Sequence, residues 1–248
     1  MALMRTANPA LNAETFTGTQ ATSSDAVMTL EGTVQKTAML LLLVILASSW
    51  IWNEARLHAA TVLPWTGLAA LAGFVVGLVT VFKKSWAPVM APLYAVLEGV
   101  VLGGISFMFE TRYPGIVIQA VALTFGTLAA LLVAYTSRLI SVTENFKLGV
   151  IAATGGIAIC YLVDLGLRFF GRSIPMIHES GLVGIGFSIF VVIIAALNLV
   201  LDFDFIEQGS QTHQLKYMEW YAGFGLIVTL VWLYLEILRL LAKTSRRR

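Results

Sequence analysis

Seven long apolar segments limit what this chain can fold into more than any other feature. A helix needs about 20 mostly apolar residues to cross the hydrocarbon core of a bilayer. Segments of this kind recur along the chain, separated by short polar, proline-containing or glycine-containing stretches. The predicted spans are 37–53, 62–82, 89–109, 115–137, 146–167, 181–201 and 218–241. The sequence therefore predicts an all-α integral membrane bundle of seven transmembrane helices.

The scarcity of charge supports a single membrane domain, predicted over 37–242, followed by a basic tail at 243–248. Only 12% of the residues are charged, against about 25% in soluble domains. Residues 1–36 contain no apolar run, so we expect the first span to be a retained helix and not a cleaved signal. Rich in Ala, Thr, Ser and Asn, this tail is expected to be disordered, with a short helix at 26–36 continuing into the first span.

Lysine and arginine near the span ends favour a cytoplasmic N-terminus. In that orientation the inner side collects Arg5, Lys36, Lys83, Lys84, Arg138, Lys147 and Lys216, and the outer loops collect Arg56, Arg112, Arg168 and Arg172. The C-terminus conflicts with this rule, because seven spans place Lys243 and the three terminal arginines outside. Either the last segment does not fully cross, or the earlier helices set the orientation.

Several classes of function find no support. No basic patch with interleaved aromatic residues indicates nucleic acid, and the lone Cys160 permits no internal disulfide and no metal-ligand spacing. His178-Glu179 lacks the second histidine of a zinc protease motif. The chain is therefore not expected to be an enzyme or to hold a cofactor. The bilayer is its first expected partner, and the sequence leaves the oligomeric state open.

Polar residues within the spans are the candidate functional residues, because a charge in hydrocarbon is costly. Glu98 lies near the middle of the third span, where it is either a protonated carboxyl hydrogen-bonded to a neighbouring helix or a functional group. Asp164 and Arg168 lie four residues apart, which predicts an ion pair within the fifth helix.

The densest acidic cluster comprises Asp202, Asp204 and Glu207, where the sixth helix is expected to end. Asn198 precedes Asp202 by one turn, on the same face, whereas Asp204 points another way. This cluster is either a solvated helix end or a partly buried site. Glu219, at the start of the seventh helix, could approach it across the short connection.

Small residues recur at spacings that permit close helix packing. The pairs are Gly73 with Gly77, Gly99 with Gly103, and Gly181 with Gly184.

Taken together, residues 30–242 resemble the Bax inhibitor family of seven-helix membrane proteins. The resemblance rests on the third helix at 94–106 (YAVLEGVVLGGIS), the fourth at 119–125 (QAVALTF), the acidic end of the sixth, and 236–241. The openings at 8–11 and 28–33 look like a bacterial, YccA-like branch of that family.

The resemblance implies a bundle with the last helix near its centre and a calcium leak controlled by pH. In relatives, two aspartates on the sixth and seventh helices share a proton and close the pore. Asp202 matches the first position. Thr229 falls at the second, so this chain departs from the pair, and Asp204, Glu219 or Glu98 could supply the missing partner.

Two functions follow as expectations. The first is a pH-sensitive calcium-permeable channel or leak across the bacterial inner membrane, gated by Asp202, Asp204 and Glu219. Calcium would be the permeant ion, with Asp202, Asp204 and Glu207 as candidate ligands, because calcium prefers several oxygen ligands. The alternative is a non-conducting regulatory protein that binds other membrane proteins, such as a membrane-anchored ATP-dependent protease, and the polar tail fits this alternative.

Overall fold

Helices that can cross a membrane make up almost all of the described structure. The computed structural model describes residues 27–172, 174, 177, 179 and 181–246. Within that part of the chain there are seven helices long and apolar enough to span a bilayer, and no strand beyond an isolated bridge between Val27 and Leu215. The helices are α1 (Leu30–Ala60), α2 (Pro64–Phe82), α3 (Ala87–Arg112), α4 (Ile116–Thr136), α5 (Glu144–Phe169), α6 (Leu182–Gln211) and α7 (Met218–Ser245). The predicted all-α bundle of seven helices is confirmed.

The first two spans form one helical run, Leu30–Phe82, that bends at His58, where φ is −138° and ψ is 50°. Pro64 occupies the start of α2, where a missing N–H costs little. Thr29 caps α1, because its hydroxyl accepts a hydrogen bond from the Gly32 N–H at 3.0 Å. The short helix expected at 26–36 therefore begins at Leu30. The tail over 1–26, and Arg247 and Arg248 at the other end, lie outside the described residues.

The sixth helix continues well beyond the apolar run that predicted it. It ends at Gln211, so the expectation that it ends at the acidic cluster was wrong. The apolar run stops at the acids, but a helix tolerates acids in its interior when their side chains find partners on neighbouring elements. Asp202, Asp204 and Glu207 are therefore interior helical residues.

The last helix is the most buried. In α7, 67% of an apolar 18-residue stretch is buried inside the structure. The corresponding share is 17% in α1, α2, α4 and α5. Helices on the outside of a membrane bundle direct most of their apolar side chains to lipid. The burial of α7 is that expected of the central helix that the resemblance implies.

The chain divides into two compact units. The α4–α5 unit contains Gly115–Asp204 and the chain from Thr229 onward, and thus α4, α5, most of α6 and the second half of α7. The α1–α3 unit contains, among the described residues, 27–114 and Phe205–Val228. It holds α1, α2, α3, the end of α6 and the start of α7.

Glycine permits close backbone packing within the α1–α3 unit. A methyl group at Gly99 would lie 2.6 Å from the Val44 carbonyl oxygen, and one at Gly103 would lie 2.6 Å from that of Ser48. The close packing predicted for this pair is confirmed. Gly73 and Gly77 make ordinary van der Waals contacts. Gly181 was also predicted at a close contact, but open space surrounds it, because it lies before the first turn of α6.

Candidate functional site

A stripe of polar side chains runs along one face of α5. Lys147, Thr154 and Tyr161 recur at intervals of seven residues, which is close to two helical turns, so all three lie on the same side. Each of them bonds to α6 or α7 within the α4–α5 unit. We call the stripe and its partners the polar seam: Lys147 with Asp204, Thr154 with Asn198, and Tyr161 with Glu236 and Arg239.

Short hydrogen bonds join the members of the seam. The Lys147 ammonium lies 2.9 Å from Asp204 Oδ2. The Asn198 amide donates to Thr154 Oγ1 at 2.8 Å and to the Ile194 carbonyl at 2.8 Å. The Tyr161 hydroxyl donates to Glu236 Oε1 at 2.9 Å. Polar groups that would be costly in hydrocarbon thus satisfy one another.

Arg239 completes the Tyr161–Glu236 end of the seam. Its Nη1 donates to both oxygens of Glu236, at 2.9 and 3.0 Å, and to the Tyr161 hydroxyl at 2.7 Å. The guanidinium also lies over the Tyr161 ring, 5.2 Å from its centre. Glu236 and Arg239 therefore form an ion pair near the end of α7, and Tyr161 of α5 bonds to both.

The stripe residues that bond to α6 or α7 extend from Lys147 to Tyr161, 14 residues apart. At about 1.5 Å per residue this is about 21 Å, less than the hydrocarbon thickness of about 30 Å. The same face continues to Arg168, whose side chain is 55% exposed and pairs on its own helix. At that end Asp164 accepts from Arg168 Nε at 3.0 Å and from the Ile174 N–H at 2.8 Å. The predicted intrahelical ion pair is confirmed, and it also holds the chain that follows α5.

Lys243 is buried, although it lies in the last turn of α7. Its ammonium donates to the Gly184 carbonyl at 2.9 Å and to the Ser188 hydroxyl at 2.8 Å, both on α6. Lys243 therefore does not act as a lipid-facing charge. The sidedness of both termini stays a prediction.

Asp202 is the most completely enclosed of the three clustered acids. Its exposed fraction is 0%, and Thr229 on α7 is buried at 3% in the same unit. Asp204, two residues along, turns to Lys147 instead, as the helical spacing of 100° per residue predicts. Glu207 lies on the part of α6 that belongs to the α1–α3 unit, where it accepts a long hydrogen bond from Gln211. The three acids therefore have different surroundings.

Glu219 is fully buried at the first turn of α7, where it holds the start of α1. Its Oε1 accepts from the Thr29 N–H at 3.0 Å, from the Thr29 hydroxyl at 3.0 Å and from the Lys216 ammonium at 2.8 Å. Gly32 contacts the same carboxyl so closely that a side chain there would overlap it. We call Thr29, Gly32, Lys216 and Glu219 the Glu219 clamp. The sequence analysis placed Glu219 among the gate acids. The partners observed for its carboxyl are the residues of the clamp.

Glu98 lies half-buried in the middle of α3. The Tyr94 hydroxyl, one turn earlier, hydrogen-bonds its carboxyl. The partner observed thus lies on its own helix, whereas one of the two interpretations from the sequence placed it on a neighbouring helix. Gly73 lies opposite, and a methyl group there would lie 3.8 Å from Glu98 Oε2.

No three His, Cys, Asp or Glu residues converge as a metal-binding group anywhere in the described residues. Calcium binding by Asp202, Asp204 and Glu207 therefore stays a prediction.

Sequence reasoning missed Lys147, Thr154 and Tyr161 as members of the site. It treated Lys147 as a charge near a span end that reports orientation, although its side chain is 7% exposed. The seven-residue spacing of polar residues on an otherwise apolar helix was visible in the sequence and could have identified the stripe.

Seven apolar helices long enough to span a bilayer define a multi-pass membrane protein, and three polar groups join α5 to α6 and α7 within it. The sequence matches the family model described as Bax inhibitor 1 like over residues 8–246. The chain belongs to this family, a membrane protein family not known for enzymes. The bacterial branch of the family stays a prediction. Neither the curated proteins nor the solved structures contain a match.

Proposed function

We propose that the protein is a pH-sensitive, calcium-permeable channel or leak in the bacterial inner membrane. The observation that carries the proposal is the polar seam, because it places two carboxylates and several neutral oxygen atoms at successive levels within the α4–α5 unit.

The seam supplies the chemistry that a permeating cation requires. Calcium exchanges its water shell for oxygen ligands. Oxygen atoms of Asp204, Thr154, Asn198, Tyr161 and Glu236 occur at successive levels of the seam. The carboxylates of Asp204 and Glu236 are the anionic groups of the seam, and each is paired with a cation, Lys147 or Arg239.

Asp202 is the proposed pH sensor. It is buried beside the seam, four residues after Asn198, at the position that relatives use for one of two proton-sharing aspartates. Thr229, at the second position, has no group that ionises near neutral pH. The pH response would therefore depend on Asp202, with Asp204 and Glu219 as lesser contributors, and the gate would lie at the predicted inner ends of α6 and α7.

Calcium flux into liposomes that hold the purified protein tests the proposal. We expect wild-type flux to exceed that of empty liposomes and to change steeply between about pH 5 and pH 8, where perturbed carboxyl groups titrate. Asp202→Asn should flatten most of this dependence, because the side chain stays neutral. Asp204→Asn should flatten it less. A pH response that survives unchanged in Asp202→Asn would move the sensor to another residue.

The Glu219 clamp favours a second function, a regulatory protein that conducts nothing. The clamp fastens the root of the polar N-terminal tail to the first turn of α7, so a membrane protein partner that binds the tail could act on the central helix. A membrane-anchored ATP-dependent protease is a candidate partner. Wild-type flux no greater than that of empty liposomes would reject the channel and leave this function, for which deletion of residues 2–26 should abolish partner binding.

A further inference from the structure

We propose that Lys147 is a tethered cation that occupies the acidic end of the polar seam and controls the admission of divalent cations. The inference rests on the proposed function and adds to it a residue that determines selectivity. It concerns Lys147, Asp204 and Glu144, all within the α4–α5 unit.

The position of Lys147 is unusual for a lysine. The residue is 5% exposed, whereas lysine is almost never buried unless it is paired. It also lies in the first turn of α5, where the helix dipole disfavours a cation. Two carboxylates offset both costs, since the ammonium lies 2.9 Å from Asp204 Oδ2 and 3.5 Å from Glu144 Oε1. The ammonium is therefore held by the same groups that would attract calcium.

The ammonium and a metal ion would compete for the same oxygen atoms. An ammonium group donates three hydrogen bonds and accepts none, so it takes up carboxylate oxygens as a bound cation does. The side chains of Glu144 and Asp204 are 52% and 19% exposed, which leaves them accessible to an arriving ion. The flexible stem of lysine allows the ammonium to move aside. A divalent cation would then enter only by displacing Lys147.

If the ammonium and a metal ion compete, replacing Lys147 and replacing Asp204 should change cation binding in opposite directions. Lys147→Gln leaves two carboxylates without their cation, so cations should bind and enter more readily. Asp204→Asn leaves the ammonium with one carboxylate, so cations should be repelled. A purely structural ion pair predicts the same direction for both variants, because each breaks the same bond.

The experiment measures terbium binding by luminescence in detergent and initial calcium flux in liposomes. For Lys147→Gln we expect binding about tenfold tighter and faster flux, as expected for loss of one nearby positive charge. Asp204→Asn should bind more weakly and conduct more slowly than wild type. Lys147→Arg should resemble wild type, and Lys83→Gln, which removes an exposed lysine, is the matched control and should change neither quantity.

The double variant, with Lys147→Gln and Asp204→Asn, keeps the test decisive if Lys147→Gln does not fold. It restores the net charge of the three groups, so it should recover binding from the low value of Asp204→Asn to near that of wild type. Changes in the same direction for both single variants, or no recovery in the double variant, would overturn the role of Lys147. Absence of wild-type flux with the binding changes intact would instead reject conduction and retain the tethered cation.

Discussion

The two units of this protein hold their helices together by different means. In the α1–α3 unit, Gly99 and Gly103 let α3 approach the backbone of α1, and the Glu219 clamp fastens the start of α1. In the α4–α5 unit, side-chain pairs along the polar seam join α5 to α6 and α7. Lipid is as apolar as leucine, so helices in a membrane associate through close packing and hydrogen bonds. One unit relies mainly on the first means and the other on the second.

The difference indicates which unit has contacts that an ion or water could replace. Close backbone packing has a single tight arrangement and tolerates little change. Hydrogen-bonded pairs can exchange partners with water or ions, provided that each polar group stays satisfied. The seam is therefore the part of the molecule where an ion could replace an existing contact, whereas the packing around Gly99 and Gly103 serves stability.

The largest expected effect is a loss of folded protein on replacing Gly103 by Leu. The new Cβ would lie 2.6 Å from the Ser48 carbonyl oxygen and 3.0 Å from the Ile51 Cβ, and backbone cannot yield as a flexible side chain can. We expect a destabilisation of about 3 kcal/mol or more, measured by thermal unfolding in detergent. Gly126→Leu is the control, because nothing lies within 4 Å of that position. Equal losses in the two variants would show that the α1–α3 unit does not depend on this approach.

A smaller loss is expected when Glu219 is replaced by Ala. The change leaves the Thr29 N–H and hydroxyl without their buried acceptor, at a cost of about 2 kcal/mol. The Lys216 pair adds little, because that side chain is 49% exposed. Glu219→Gln keeps an acceptor and should cost less, and Glu31→Ala, at an exposed acid of α1, should cost least. Limited proteolysis near residue 29 reports release of the segment, and unchanged cleavage in Glu219→Ala would contradict the clamp.

The smallest effect is expected for Tyr161→Phe within the seam. The hydroxyl both donates to Glu236 and accepts from Arg239, but those two residues remain paired without it, so the loss should be about 1 kcal/mol. Tyr161→Leu should cost more, because it also removes the ring contacts with Phe187 and Arg239. Tyr217→Phe, in the connection before α7, is the control. Thermal unfolding that ranks the Phe variant at or below the Leu variant in stability would show that the ring contributes little beyond the hydroxyl.

The error at the end of α6 shows where sequence reasoning stops being sufficient. Asp202, Asp204 and Glu207 look like a helix end, since each is costly in lipid. The helix nevertheless continues to Gln211, and Asp204 within it pairs with Lys147 on α5. A partner more than fifty residues away in the chain thus offsets the cost of an acid at a position where local hydrophobicity would end the helix.

The sequence by itself determined the class of the protein, its seven spans and the polar residues that needed an explanation. These depend on length, hydrophobicity and helical spacing, which are local quantities. It also determined the pairing of Asp164 with Arg168, because residues four apart on a helix share a face.

Only the tertiary structure decided that Lys147 bonds Asp204, that Tyr161 joins Glu236 and Arg239, and that Glu219 holds Thr29. These choices depend on which helices are neighbours and on how each is rotated about its axis. A charged residue in hydrocarbon must find some partner, but its identity follows from the packing of all the helices and not from the residue's own position.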